Sequence, residues 1–379
     1  MKSNLAKRGV VVAGVGLHSF GRFPKKSTAE MVQHAVQAAL EDSGLSYADV
    51  EVAYYAHVYY QGASPGERFL EAFGLTGIPI LNVENACSSG TTGIWQAYWA
   101  IATGQFDCAL VVGSERVPKG PVSITEEGDP QRFIGDDHMM AQYALKTRRY
   151  MNQHGATLDA IAQVAVKAHK NAANNPHAQY NKEFTLADVL ESRVIAEPLT
   201  LYQCCPTSEG AAATVLVSED AFNRKANGRS KVYLRTVALA TSRFRSADVL
   251  NPDQTQIASQ QAYHNSGIAP KDINVVQVHD AATIGEILQL ELLGLIPEGQ
   301  GWVATKEGRT AITGDLPVNT DGGLQAMGHP FGASGVRMLH EIVTQLRGNA
   351  GVRQAKSPKT GLIQCSGAGG VSTVAIVSR

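Results

Sequence analysis

Apolar residues along this chain follow two rhythms. Unbroken runs rich in valine, isoleucine and alanine start at Val10 (VVVAGVG), Ile78 (IPILNV), Gly210 (GAAATVLVS), Ile273 (INVVQV) and Gly370 (GVSTVAIVS). Each is short, β-branched and bounded by turn residues, so each predicts a buried strand. Between them apolar positions recur at three- and four-residue spacing. Ile94, Ala97, Tyr98 and Ile101 mark one helix. YALKTRRYMNQHG, LDAIAQVAVKAHKNAANNP and TLADVLESR mark three more, the middle one ended by Asn174 and Pro176. Strands and helices in alternation predict an α/β architecture in layers.

The pattern also repeats. SGLSYADVEV from Ser43 matches SGIAPKDINV from Ser266, CSSGTTGI from Cys87 matches HPFGASGV from His329, and the run from Gly210 matches the run from Gly370. Three matches in one order imply duplicated halves, placed at residues 1–229 and 230–379. From the SG turn to the final strand the first half spends 167 residues and the second 104 (210 − 43 against 370 − 266). The surplus predicts an insertion at about 115–199, after the Cys87 helix, where it can cover or line a pocket. The last offset also sets Cys365 opposite Cys205.

The matched octets carry the candidate chemistry. Cys87 ends a strand and opens a helix through Ser88, Ser89 and Gly90, where the helix dipole and free N–H groups are expected to lower a thiol's pKa. His329 opens the equivalent turn, with Pro330 after it. A thiol facing an imidazole is a nucleophile with its base. Alone, Cys87 is equally a small buried apolar residue and His329 a helix cap. His279 and Asp280 follow the buried run from Ile273, at the strand edge where α/β proteins place chemistry. Cys365 precedes Gly367, Gly369 and Gly370, whose main chain could supply oxyanion-hole N–H groups.

Composition narrows the class without changing the picture. The chain has 379 residues, is 44% hydrophobic and 18% charged, and carries a formal net charge of −1, so no nucleic-acid or anionic-membrane surface is called for. No apolar run approaches the roughly 20 residues of a membrane span. The start does not resemble a signal peptide, nor the end a peroxisomal tripeptide. Five cysteines without regular spacing and without a CxxC pair suggest no disulfide framework, no structural zinc and a cytoplasmic setting. The GVG near the start lacks the third glycine and following acid of a dinucleotide site.

Together NACSSG, HDAAT, GHPFGASG and CSGAGG resemble, in order, the motifs of the thiolase superfamily, and HDAAT those of its sterol-carrier-protein type. The resemblance spans essentially the whole chain. It implies a duplicated α-β-α-β-α layered fold with an inserted loop domain in the first half. It also implies acyltransferase chemistry on a 3-oxoacyl-coenzyme A. Cys87 would carry the acyl group as a thioester, His329 would take the thiol proton, Cys365 would act as acid and base, and His279 would help hold an enolate. The N–H groups of Cys87 and Gly367 would form the oxyanion hole. Coenzyme A would be a substrate rather than a resident cofactor, and no metal would be needed. The family implies a homodimer or larger assembly, and several bacterial members a separate OB-fold/zinc-ribbon partner.

Some points stay open in the sequence. Ala281, Ala282 and Thr283 stand where the family often has bulkier residues, which predicts a roomier acyl pocket. His57 and His138 are extra histidines in possible pocket loops, and phloroglucinol-type acyltransferases, which acylate a non-coenzyme A carbon, use added histidines. Lys119, Arg132, Lys146, Arg148, Arg149 and Lys167 are candidates for the coenzyme A phosphates. A non-catalytic lipid-binding subunit on the same scaffold is the alternative from another class. Aldolase-type relatives lack the nucleophile cysteine.

Overall fold

A computed structural model describes residues 8–123, 125–133, 137–225, 230–243 and 254–379. The first half runs β1 (Val10–Gly21), α1 (Thr28–Ser43), β2 (Val52–Ala56), α2 (Pro65–Leu70), β3 (Ile80–Val83), α3 (Ser89–Ala102) and β4 (Cys108–Arg116). The insertion follows β4. It carries α4 (Pro130–Phe133), α5 (Met139–His154), α6 (Leu158–Ala173), α7 (Leu186–Leu190) and a hairpin of β5 (Val194–Ala196) with β6 (Leu199–Thr200). Then β7 (Glu209–Ser218) and α8 (Glu219–Lys225) close the half. The boundary placed at 229 lies outside the described residues. The second half runs β8 (Tyr233–Thr241), α9 (Gln254–Ser266), β9 (Val275–Gln277), α10 (Thr283–Leu292), α11 (Gly301–Lys306), α12 (Phe331–Arg347), β10 (Thr360–Gly367) and β11 (Val371–Ser378). Among the described residues no helix is long and apolar enough to cross a membrane.

Nine strands form one sheet in the order β3-β2-β4-β7-β1-β8-β11-β10-β9. The halves meet where β1 and β8 touch antiparallel, at Val11 and Tyr233. On either side the pattern is the same: β7 pairs antiparallel with β4, and β11 with β10. β4 then lies parallel to β2, and β10 parallel to β9. Val318, bridged in parallel to Val276, takes the place that β3 holds beside β2.

This topology corrects one alignment. The counterpart of β10, which bears Cys365, is β4. The insertion separates β4 from β7, so counting back from β11 lands Cys365 on an insertion residue. Cys205 is not its equivalent.

Burial sorts the helices into layers. α1 packs Met31, Val32, Ala35 and Val36 against Val11, Tyr55 and Leu110 on one face of the first half. α9 sets Ala258 and Ala262 against Val276 and Ile376 on the outer face of the second. α3 and α12 lie between, with Ile94, Ile101, Val336, Leu339 and Ile342 in one shared core. α12 is buried almost all round, as a central helix must be. Its glycines explain the repeated octets: a Cβ on Gly90 would stand 2.7 Å from Gly332 O, and one on Gly335 2.6 Å from Thr91 N. The two helix starts therefore touch backbone to backbone. The SG turns are also equivalent: α1 ends at Gly44 with φ 69°, and α9 runs into Gly267 with φ 70°. Both sit in the left-handed region that favours glycine.

Candidate active site

Cys87 sits in a helical turn just before α3, fully buried. Ala86 before it is held at φ 50°, a left-handed conformation costly for a side-chain-bearing residue and common at functional sites. Ser89 Oγ donates to Ala86 O (2.6 Å) and accepts from Asn85 N (2.8 Å), which fixes this turn. Ser88 Oγ donates to Cys365 O at 3.2 Å, so the Cys87 turn is tied directly to β10.

His329 approaches from the equivalent turn before α12. Its N–H donates to Ser208 Oγ at 2.9 Å, and Thr207 bridges to it in parallel. Its Nδ1 lies 2.8 Å from Ser334 Oγ, whose own proton goes to Pro330 O at 2.9 Å. A hydroxyl has one proton, so the network assigns Nδ1–H as the donor to Ser334. Nε2 is then left with its lone pair, buried and without a partner. That is the tautomer a base needs.

The donor atoms of Cys87, His279 and His329 all lie within 4.8 Å of one another. The two imidazoles meet edge to face, centroids 5.2 Å apart. Cys365 Sγ lies 3.7 Å from His279 Nδ1 and 3.1 Å from Cys87 O. The tertiary structure thus brings together all four side chains proposed from sequence. One thiol and two imidazoles would also suit zinc in composition. The Nδ1–Ser334 bond and the bare Nε2 are what proton transfer needs.

Burial sets the charge states. The Cys87 thiol is pushed well above its usual range by burial and then by neighbouring Cys365, against the pull of the N–H groups of Cys87 and Ala368. The expected lowering by the helix terminus is therefore outweighed, because removing the thiolate from water costs more than two N–H groups return. Cys87 rests as a thiol and needs a base. Ala368, whose N–H is the second of these, directly follows Gly367 at the end of β10. Burial pushes Cys365 up to about 12, with Arg337 pulling down. His279 is lowered to about 3 by burial, then by Arg337 and Lys146, and His329 falls well below its usual value by burial, then by His279 and Arg337. Both imidazoles are neutral near pH 7.

Asp280 faces away from this group. It accepts from Leu324 N at 2.7 Å and Gln325 Nε2 at 3.3 Å, and burial followed by Glu286 raises it to about 7. It holds the segment leading into His329.

A cleft of about 540 Å³ runs from exposed Lys119 and Arg193, past Met140, Tyr180 and Cys205, to His329 and Phe331. Much of its wall comes from the insertion. Ala281 to Thr283 do not line it: Ala281 O accepts from Cys205 N (2.8 Å), and Ala282 is bridged to Cys204. These small residues let the Cys204–Cys205 segment approach, and that segment forms the wall. His138 lines the cleft, whereas His57 is half-buried between the rings of Tyr55 and Tyr60 and does not reach it. A second cavity of about 270 Å³, beside Ser43 and Cys108, touches none of the site residues.

Of the proposed phosphate ligands, Lys167 is taken by buried Glu286, Arg148 by Glu197 and Arg132 by Asp137. Lys146 lies over the Tyr143 ring, 5.1 Å from its centroid. Lys119 is the candidate at the cleft.

Sequence reading missed Ser334, Ser208 and Glu115. Glu115, the penultimate residue of β4, is buried and accepts from Val58 N (2.8 Å) and Tyr59 N (3.2 Å), fixing the loop packed over Cys87. Its only signal was an acid closing an apolar strand.

Two family models match the chain, "Thiolase, N-terminal domain" over residues 10–220 and "Thiolase C-terminal domain-like" over 237–379. The chain is 35% identical to sterol carrier protein 2 of Bos taurus, covering 97% of this chain and 72% of that one. It is 35% identical to the acetyl-CoA acetyltransferase of Methanothermobacter thermautotrophicus, covering 98% and 100%. Among solved structures, "Ltp2-ChsH2(DUF35) aldolase" superposes with a TM-score of 0.86 at 26% identity over 99% of both chains.

Proposed function

The chain belongs to the thiolase family, and from that footing we propose that it makes or breaks the carbon–carbon bond of a 3-oxoacyl-coenzyme A through a thioester on Cys87. One observation carries this most: the His329 ring, with Nδ1 bonded to Ser334 and Nε2 bare, has a nitrogen within 4.8 Å of the Cys87 thiol.

In the cleavage direction His329 Nε2 takes the thiol proton as Cys87 sulfur attacks the 3-oxo carbon. The N–H groups of Cys87 and Gly367 receive the oxyanion, with Ala368 N–H beside them. The bond between carbons 2 and 3 breaks, and its electron pair passes to an acetyl-coenzyme A enolate held by His279. Cys365 protonates carbon 2. A second coenzyme A gives its thiol proton to the Cys365 thiolate and displaces the acyl group from Cys87, which takes its own proton back from His329. The reverse sequence is a condensation. Coenzyme A enters and leaves as substrate, with Lys119 and Arg193 at the open end of the cleft to meet its charge.

Acyl transfer to a carbon outside coenzyme A would use the same thioester and differ in the acceptor. His138, on the cleft wall, is the added histidine placed to meet such an acceptor. A scaffold that only bound lipid would need no bare imidazole nitrogen beside a thiol.

Two assembly features belong to the same proposal. β3 is the outer strand of the sheet, and it leaves Leu81 exposed and Ile80 half-buried. An apolar edge of this kind is a template for pairing, and a second copy along it gives a homodimer. A small separate partner is supported by the solved relative named as a complex with a DUF35 protein.

The test is intact-mass spectrometry after incubation with a panel of acyl- and 3-oxoacyl-coenzyme A donors. A single acyl adduct is expected on Cys87 and absent in Cys87→Ser. No adduct from any donor, with a DUF35-type partner also supplied, refutes the proposal.

A further inference from the structure

Three groups of the site have a capacity that acyl transfer does not use. Cys87 Sγ and one nitrogen each of His279 and His329 all lie within 4.8 Å of one another, on buried side chains. Among the described residues it is the one place where three His, Cys, Asp or Glu side chains converge so closely. Around a tetrahedral zinc ion, with bonds of about 2.3 Å to sulfur and 2.0–2.1 Å to nitrogen, the donor atoms stand roughly 3.3–3.6 Å apart. Closing the cluster onto an ion therefore moves a donor by no more than about 1.5 Å, which rotation of the Cys87 side chain supplies.

The surroundings fit a metal as well. An imidazole ligand is oriented by a bond from its other nitrogen. His329 has one: Nδ1–H donates to Ser334 Oγ at 2.8 Å, and Ser334 is anchored in turn to Pro330 O at 2.9 Å. His329 Nε2 is buried and has no hydrogen-bond partner, so its lone pair is free for a metal. His279 has Cys365 Sγ beside Nδ1, at 3.7 Å. Three neutral imidazoles suffice for zinc in some catalytic sites, so one thiolate with two imidazoles brings enough charge. The cleft reaches His329 and Phe331, which gives an ion its way in.

We propose that the same cluster is a binding site for a thiophilic divalent cation, zinc above all, which switches the protein off reversibly. Cys87, His279 and His329 are the three protein ligands, with water in the fourth position. The thiol loses its proton to solvent as sulfur binds the metal, and no electron changes hands. The ion occupies the lone pair that His329 needs as a base and the sulfur pair that Cys87 needs as a nucleophile. Metal and acyl group therefore exclude each other. The metal site stands on the geometry of the cluster, whereas its inhibitory effect rests on the thiolase-type transfer proposed above.

Cobalt(II) reports the ligands and zinc the effect. Titrating the whole protein with cobalt(II) is expected to give a thiolate-to-metal charge-transfer band with tetrahedral d–d bands, at one metal per chain, displaced by zinc. Metal binding should release one proton from the thiol. Blocking Cys87 with iodoacetamide, confirmed by peptide mapping, should abolish the band without any substitution, and Cys87→Ser should do the same. Ser334→Ala should weaken zinc by about ten- to a hundredfold, the scale of losing an orienting partner. With free zinc at about ten times its Kd, Cys87 alkylation and thioester formation should both fall about elevenfold by mass action, and a chelator should restore them. A wild-type protein without the charge-transfer band overturns the proposal. So does a band that survives the block on Cys87, or zinc that leaves Cys87 alkylation unchanged, since the ion then sits elsewhere. If the metal binds through Cys87 but no donor yields a thioester, the acyl transfer fails and the metal site stands. A thioester without the band is the reverse.

Discussion

Replacing Ser334 by alanine tests how the site makes its base. Ser334 Oγ accepts the Nδ1 proton of His329 at 2.8 Å and so leaves the lone pair on Nε2, free to take the thiol proton. In Ser334→Ala that proton loses its acceptor in a fully buried place. An unsatisfied buried donor costs on the order of 1–3 kcal/mol. The other tautomer moves the proton to Nε2, which then has no lone pair to take the thiol proton. Either route raises the barrier to forming the Cys87 thiolate by about 1–3 kcal/mol, which is a fall of roughly 5- to 150-fold in rate. The assay is the rate of thioester formation on Cys87 by rapid-quench mass spectrometry, with iodoacetamide alkylation of Cys87 as a substrate-free check. Both rates are expected to fall together, since both need the thiolate. Circular dichroism melting controls for the lost bond to Pro330 O. A folded Ser334→Ala with both rates within twofold of the wild type, beside a His329→Ala that is inactive, would show that Ser334 does not set the tautomer.

Other expectations follow from the same geometry. Gly335→Ala places a Cβ 2.6 Å from Thr91 N and 2.7 Å from Thr91 Cγ2, so the helix crossing must open; overpacking of this kind costs about 1–3 kcal/mol and is read as a lower denaturant midpoint. Glu115 is raised to about 7 by burial, so the folded protein holds a proton there that the unfolded chain has lost above about pH 4.5. Stability from this group is present below pH 4.5 and declines as pH rises to 7, by about 3 kcal/mol; Glu115→Gln should flatten that part of the stability–pH curve, and an unchanged slope counts against a buried protonated carboxyl. Leu81→Arg charges the exposed edge of β3 and should shift sedimentation from dimer toward monomer; a dimer of unchanged strength places the interface elsewhere. His279→Ala should leave the Cys87 thioester intact while methyl exchange falls by about two orders of magnitude, because the enolate loses a donor; a parallel loss of both would move His279 to the acylation step.

Much of the site was legible because its chemistry rides on turns with strong local signatures. The runs from Val10, Gly210 and Gly370 are strands for the reason that betrayed them, β-branched residues buried on both faces, whereas the run from Ile78 forms the outer strand β3 and is not the buried strand expected, with Ile80 half-buried and Leu81 exposed. Cys87 and His329 were found as a pair because duplication wrote the same glycine spacing twice, and the crossing of α3 and α12 shows why those glycines are needed. Ser334 lay inside the His329 octet, yet its role depends on a proton count that no spacing reveals. Glu115 looked like an ordinary charge until burial and the N–H groups of Val58 and Tyr59 gave it a place. Cys205 was set opposite Cys365 because a constant offset cannot see an insertion between the two strands being compared.

By itself the sequence determined the duplicated α/β plan, the two glycine-rich turns, and which four side chains carry reactive groups, since those depend on local pattern and residue chemistry. The tertiary structure alone decided their charge states. Burial raises the Cys87 thiol despite its place at a helix start, and Ser334 selects the tautomer of His329. It also decided that the cleft wall is the Cys204–Cys205 segment and not Ala281 to Thr283. These are outcomes of desolvation and of contacts between residues far apart in the chain, and no local pattern encodes how much water a folded site excludes.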